Sequence, residues 1–465
     1  MAIMIDTAAR MPRNESMTPQ GIFPAFAVLL LLSVPWLRAQ EQTTSLVEGL
    51  ARDIHFSDRM TGDWGGARAT LAEHGVDCVL AYTGEAMTDL SGGLRRGTAA
   101  EGLWEMGFVT DLEKLLGWKG GTFHVFSYWL HGASPTFKYV GDIQGVSNID
   151  GFDTLRLNEL WLQQEWLDNR LSLRFGQLAE DEEFMIGEYS SLFINGAFGD
   201  TVTVSGNLPV PTYPMSAPGI RLRTDPVDFF YFQAAVYDGD VSAQNLNDTG
   251  TRININRHDG FFSIYEMGCL VNHEKNSKSL PGSYKFGAWY HTGSFGDQLA
   301  DADHLSLADP ASSGTPVFHQ GNYGLYGMAD QMVYREDAKS KHPQGLGLFF
   351  TGGSAPNDRN LVSLQLAGGL HYTGLLPGRD EDLLGLAVTH VDIGDNARQF
   401  DRDTNAFNGT DNAIRDYETT MELTYRYVVN EWCFLQPDVQ WVLHPGGSPA
   451  VGDAVVAGMR FQVLF

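Results

Sequence analysis

The sequence predicts an all-β fold, a sixteen-stranded antiparallel transmembrane β-barrel with a short helical N-terminal periplasmic segment, and three observations predict it. Sixteen segments alternate apolar and polar residues at period two. The connections between them alternate long and short. The last segment, AVVAGMRFQVLF, lays Val455, Ala457, Met459, Phe461, Val463 and Phe465 along one side of a strand, in a chain of net charge -26.

The N-terminus is expected to be removed. Arg10 and Arg13 precede the apolar run Gly21 to Leu37, and Ala39 supplies a small residue for cleavage, the pattern of a secretory signal peptide over residues 1–39. Pro24 and Pro35 interrupt that run, which is shorter than the ~20 residues of a membrane span. Residues 40–75 form a helical preface: Leu46, Leu50 and Ile54 recur at helical spacing, and TGDWGGARATLAEHGV offers Thr61 or Asp63 as a start and Gly75 as a stop. The barrel occupies 76–465.

Composition excludes several classes. The mature chain keeps a net charge of about -27, so nucleic acid is not a partner. Cys78, Cys269 and Cys433 are isolated and odd in number, which gives neither a disulfide framework nor a CxxC metal site; they read as small hydrophobes, and no metal or cofactor is implied. A second apolar run of spanning length is absent from the sequence, which rules out a bundle of membrane helices.

Strands are expected near 76–89, 102–111, 121–131, 155–166, 171–178, 218–224, 229–237, 261–270, 283–292, 322–334, 344–352, 361–373, 384–392, 415–428, 431–443 and 453–465. In LTYRY, Leu423, Tyr425 and Tyr427 share a face while Thr424 and Arg426 take the other. A phase shift near Asn158–Glu159 predicts a bulge. Long connections (90–101, 132–154, 179–217, 238–260, 393–414) alternate with short ones such as DNR, DPVD and VNE, so the long ones gather on one rim and both termini fall on the periplasmic side. Lipid then accepts the apolar stripe of the last strand, while closure pairs every backbone group.

A barrel of sixteen strands is too wide for side chains to fill, so its interior is expected to hold water. Arg174, Arg221, Arg223, Gln365, Thr389, Glu422, Thr424 and Arg426 point inward and would solvate the wall. The connection 179–217 is long enough to be functional; folded into the lumen it narrows the channel, with Asp181, Glu182 and Glu183 facing the inner arginines, and the alternative is a cap outside the barrel. Neutral sugars or polyols need aromatic faces and hydrogen-bonding charges. The candidate contacts are Arg156, Trp161, Arg174, Asp181, Glu182, Glu183, Tyr189, Arg221, Arg223 and Trp129, with Trp166 and Phe193 behind them. Competing readings are a secreted or outer-membrane carbohydrate-binding protein and a hydrolase using the carboxylates of AEDEEF; an energy-coupled importer would need a larger N-terminal plug.

The blocks TGDWGGARATLAEHGV, GFVTDLEKLLGWKGGTFHV, GVSNIDGFDTLRLNELWLQQEW, LSLRFGQLAEDEEF and SLFINGAFG together resemble the OprB-type carbohydrate-selective porin family, with weaker similarity running from about Thr61 to Phe465. The resemblance implies a Gram-negative outer-membrane channel, exported by the Sec pathway, for passive sugar diffusion through a constriction of inward loops. Outer-membrane lipid and lipopolysaccharide would surround it, and Phe465 resembles the C-terminal signal read by the outer-membrane assembly machinery.

Overall fold

The computed structural model describes residues 59–465 apart from 242–245, 254, 256–259, 274–276 and 337–343. The expected export signal and the helix carrying Leu46, Leu50 and Ile54 lie outside the described residues.

A short helix, α1 (Ala67–Glu73), leads into β1 (Val76–Gly93) and β2 (Gly97–Asp111), followed by α2 (Leu112–Leu116). Then come β3 (Gly121–Gly132), β4 (Thr154–Trp166) and β5 (Leu171–Leu178), with α3 (Val202–Ser205) inside the next connection. The sheet continues through β6 (Ala217–Val227), β7 (Phe230–Asp238), β8 (Phe261–Val271), β9 (Gly282–Asp301), β10 (Pro316–Arg335), β11 (Gly345–Ser354), β12 (Val362–Thr373) and β13 (Leu383–Ile393). After α4 (Asp395–Asn408) it ends with β14 (Tyr417–Asn430), β15 (Cys433–Leu443) and β16 (Gly452–Leu464). Each strand pairs with its sequence neighbour and β1 pairs antiparallel with β16, so the sixteen-stranded sheet closes on itself.

The closing register explains the period-two pattern. Gly84 pairs with Phe461, Glu85 with Arg460 and Ala86 with Met459. Arg460 points in and bonds Glu85 at 2.7 Å, whereas Phe461 points out and stays 37% exposed. Glycine at 84 is required by that ring, because a Cβ there would stand 2.7 Å from it. A sheet that is apolar outside and closed by strand pairing all the way round meets the two demands of a hydrocarbon solvent. At the periplasmic edge, buried Arg68 of α1 donates to the main-chain oxygens of Phe465 (2.5 Å) and Gly62 (3.0 Å), and the Met60 amide donates to Leu464 (2.8 Å). The Trp64 ring covers the guanidinium at 3.9 Å. The N-terminal piece thus seals the seam.

The bulge is present: Phe126 pairs with Glu159 and Ser127 with Leu157, which skips Asn158. Three expectations need correction. The first long connection is not long, since β1 and β2 pair up to a tip at 94–96. In the same way β9 and β10 run past the predicted ends to a tip at 302–315; where both faces of a hairpin meet water, alternation fades and pairing becomes unreadable. Residues 395–408 are helical, not loop. Asp395 occupies the first turn and Gly409 ends the helix at φ +65°, signals that were legible.

The larger correction concerns the interior. Residues 133–153 and 179–216 fold inward and pack on the wall. Val140, Val146 and Ile194 meet Met87, Val442 and Val456, and Phe184, Met185 and Val204 meet Tyr237, Phe262 and Trp289. Gln365, Thr389, Glu422 and Thr424, read from sequence as a wetted wall, are fully buried. Polar groups buried this way must find partners, and they find the loops.

Arg68→Ala removes two hydrogen bonds from the seam and is expected to cost about 1–3 kcal/mol. Heat-shift electrophoresis in detergent should show the folded band disappearing at a lower temperature than for the wild type; an unchanged transition would contradict the sealing role.

Candidate functional site

The inward loops are held through their main chain. Glu422 accepts the amides of Ile194 (2.7 Å) and Asn195 (2.9 Å). Glu266 accepts Met185 (3.1 Å) and Asp330 accepts Tyr189 (3.1 Å). Gln365 accepts Val202 at 2.6 Å and donates to the Ala197 carbonyl at 2.9 Å, and Gln436 donates to Leu192 at 2.8 Å. The other loop is seized by Glu418, which accepts Ile143 (2.8 Å) and Gln144 (3.0 Å), and by Gln440, which donates to Val146 (2.8 Å). Each bond joins a buried wall group to a buried main-chain group that has no water to fall back on, so a few of them fix a loop lacking regular structure.

Beside the start of the longer loop, Arg174 of β5 stands in register with Arg221 of β6. Two adjacent cations repel unless an anion lies between them, and Glu183 supplies it. Arg221 Nε donates to both Glu183 oxygens at 2.9 and 2.8 Å, and Arg174 Nη1 lies 3.1 Å from Oε1. Gln163 accepts from both arginines at 3.0 and 2.8 Å. The Arg174 guanidinium lies 3.6 Å from the centroid of Trp161, whose other face stacks on His124 at 4.5 Å. Arg223 pairs with Asp225 at 2.8 Å and rests 4.2 Å from the Tyr231 centroid. This cluster ties β4, β5 and β6 to the base of the loop.

Burial alone would raise the Glu183 carboxyl, but the guanidinium groups of Arg174 and Arg221 outweigh it and hold it down to about 2. Its neighbours behave oppositely. Burial pushes Asp181 up to about 6 against the Tyr213 amide that it accepts at 2.8 Å. Glu182 rises well above the carboxylate range through burial and the nearby Glu159 and Asp181, and it accepts the Tyr128 hydroxyl at 3.1 Å. The acidic run therefore carries one firm negative charge, at Glu183. That charge is no free nucleophile, because Arg221 occupies both of its oxygens.

Among the expected contacts, Arg174, Arg221 and Glu183 come together, and Arg223 joins them. Asp181 and Glu182 do not face the arginines; they pin Tyr213 and Tyr128. Arg156 is buried, its guanidinium 3.0 Å from the Met215 sulfur. Tyr189 and Phe193 are packed in a core cluster with Phe349, and Trp161 has both faces covered. Trp129 and Trp166 lie outside the barrel, 48% and 44% exposed, where they suit an interfacial girdle and touch no lumen. Inward side chains left half-exposed include Glu105, Tyr213, Glu182, Arg223, Arg426, Phe434 and Gln462. Arg426 lies 4.5 Å from the Phe434 centroid and donates to Gln436 at 3.1 Å, and the Tyr128 and Tyr213 rings are 5.5 Å apart. Tyr213, Glu105 and Phe434 were missed; strand parity alone would have placed Glu105 and Phe434 inside.

A closed barrel, apolar outside and narrowed by loops bonded to its wall, is the architecture of an outer-membrane diffusion channel. Residues 95–465 match the model of the carbohydrate-selective porin, OprB family, and the chain belongs to that family. It is 29% identical over 427 residues to Porin B of Pseudomonas aeruginosa, covering 87% of this chain and 91% of the relative. With a putative porin, QuiX, of Acinetobacter baylyi it shares 24% over 447 residues, 90% and 95% of the two chains. The high-pH structure of Pseudomonas putida OprB superposes with a TM-score of 0.81 at 26% identity, covering 88% of this chain and 98% of that one. Family and fold point to a channel of the Gram-negative outer membrane rather than to an enzyme.

Glu183 stabilises the loop wherever it is ionised in the folded state. Its depressed value makes that contribution complete above the unfolded value near 4.3 and lost as pH falls through about 2. Glu183→Gln is expected to destabilise by about 3–5 kcal/mol at neutral pH. The gap between wild-type and variant melting temperatures should stay constant from pH 7 to about 5 and close toward pH 2; a gap as wide at pH 2 as at pH 7 would refute the assignment.

Proposed function

We propose that this protein lets neutral sugars or small polyols diffuse passively across the outer membrane, through the part of the lumen that the two inward loops leave open. Membership of the carbohydrate-selective porin family, on a barrel narrowed in this way, is the observation that carries the reading. The solute is taken to pass between the carboxyl groups of Glu105 and Glu182 on one side and the guanidinium groups of Arg426 and Arg223 on the other, with the rings of Tyr213 and Phe434 offering faces to the apolar side of a sugar. Among the residues first expected to bind solute, Arg223 and Glu182 keep that role, while Arg174, Arg221 and Glu183 set the position of the loop.

The reading includes Sec-dependent export with loss of residues 1–39, recognition of Phe465 by the assembly machinery, and lipopolysaccharide around the upper half of the barrel. Residues 40–75 form the periplasmic preface to the channel proper. No catalytic step is assigned.

Single channels in planar bilayers test it. Hexoses such as glucose should lower the conductance of the wild type in a saturable way. Arg426→Ala, which deletes a charged hydrogen-bond donor worth about 1.4 kcal/mol, should weaken that block about tenfold. Conductance steps indifferent to sugar would overturn the selectivity, and absence of steps would overturn the channel.

A further inference from the structure

Strand β14 turns Glu422, Thr424 and Arg426 to the inside, whereas Met421, Leu423 and Tyr427 stay exposed on the membrane side. Glu422 and Thr424 are buried; Arg426, four residues before the strand ends at Asn430, is half-exposed. Its Nε donates to Gln436 Oε1 at 3.1 Å, and its guanidinium rests 4.5 Å from the Phe434 centroid. The Gln436 amide cannot turn away, because its nitrogen donates to the Leu192 carbonyl at 2.8 Å and to the Thr424 hydroxyl at 2.9 Å. The inward loop thus aims the arginine. Among the described residues the two terminal nitrogens of Arg426 make no hydrogen bond or ion pair, and they are not sealed from the lumen.

The far wall shows what is missing here. Strands β6 and β14 are eight places apart in the sixteen-stranded ring and so face each other. There, Arg174 and Arg221 stand side by side with Glu183 between them. On the β14 side, Gln436 is opposite Arg460 of β16 in the strand register, so it has an arginine on either hand, and the charge of Arg460 reaches Arg426. The group between these two is a neutral amide, not a carboxylate. Arg460 has its own anion, Glu85, at 2.7 Å. The inward acids of β14 and β15, Glu418, Glu422 and Asp438, are fully buried and offer Arg426 nothing in the lumen. Neighbouring cations are stabilised by an anion beside them, and at Arg426 that place stands open to a solute.

We propose that Arg426 binds the carboxylate of a sugar acid, so that the channel prefers a hexuronate to the matching neutral hexose. The solute carboxylate takes at Arg426 the place that Glu183 takes at Arg221. A guanidinium fork donates to both oxygens of one carboxylate, whereas a neutral sugar offers it single hydroxyls. The hydroxyls of the acid remain free for the carboxyl groups of Glu105 and Glu182, which a simple anion could not use. The inference rests on the reading of the lumen as a sugar passage and adds to it the charge of the favoured solute.

Single channels of the full-length protein in planar bilayers, blocked with glucose, glucuronate or acetate, test it. The salt is kept at about 0.1 M KCl, where the screening length is about 10 Å and the charge of Arg426 is felt. Glucuronate should block the wild type about 10-fold more tightly than glucose. Acetate, which has the charge without the hydroxyls, should not block at concentrations at which glucuronate saturates. In R426Q the glucuronate-to-glucose ratio should fall to about 1; in R426K, which keeps the charge and loses the fork, it should stay above that of R426Q. In about 1 M KCl, with a screening length of about 3 Å, the wild-type ratio should shrink. Equal block by the two sugars in the wild type, a preference undiminished in R426Q, or acetate block as tight as that by glucuronate would overturn the proposal. Heat-shifted migration checks the folding of each variant, and the three solutes on the wild type decide the matter if a variant does not fold. Block by glucose with no advantage for glucuronate removes this inference and leaves the sugar channel standing; block by neither would overturn both.

Discussion

Buried wall groups that grip loop backbone are the interaction on which the rest of this structure depends. A barrel of sixteen strands encloses more space than its own side chains can fill, and chain folded into that space arrives with unpaired amides and carbonyls. Glu418, Glu422, Gln365, Glu266 and Asp330 sit on four different strands and meet those groups one by one. Apolar residues of the loops then fill the remaining room against Met87, Val442 and Trp289. The passage is what these contacts leave over. Its width is therefore a property of the wall as much as of the loops.

Charge follows the same logic. In the inward loop burial raises Asp181 and Glu182, and on the wall loop amides occupy the carboxyl oxygens of Glu418 and Glu422. Glu183 of the same run stays ionised at low pH by joining two arginines that would otherwise repel. Local charge in the lumen is thus set by pairing rather than by the net charge of the sequence.

The architecture was legible because hydrocarbon imposes a strict rule on one face of every strand. Met459 and Phe461 obey it, and so do Leu423 and Tyr427. The inner face carries no such rule: a glutamate can be satisfied by water or by a peptide amide, and Glu422 looks the same in sequence either way. For that reason Gln365, Thr389, Glu422 and Thr424 were placed on the correct face and given the wrong neighbour. The aromatic candidates fared worse, since ring chemistry does not tell which face is already covered. Trp161 is sandwiched by His124 and Arg174, and Trp129 belongs to the membrane side by strand parity alone. Helix α4 lay in a stretch whose polar composition hid two ordinary end signals, Asp395 and Gly409.

Amide hydrogen exchange on the detergent-solubilised wild type addresses the central claim directly. If the wall holds the loops as described, the amides of Met185, Tyr189, Ile194, Asn195 and Val202 exchange as slowly as those of paired strand residues, although none of them belongs to the sheet. Exchange of these five at the rate of unprotected peptide amides would mean that the loops are not bound to the wall, and the fixed constriction would have to be abandoned.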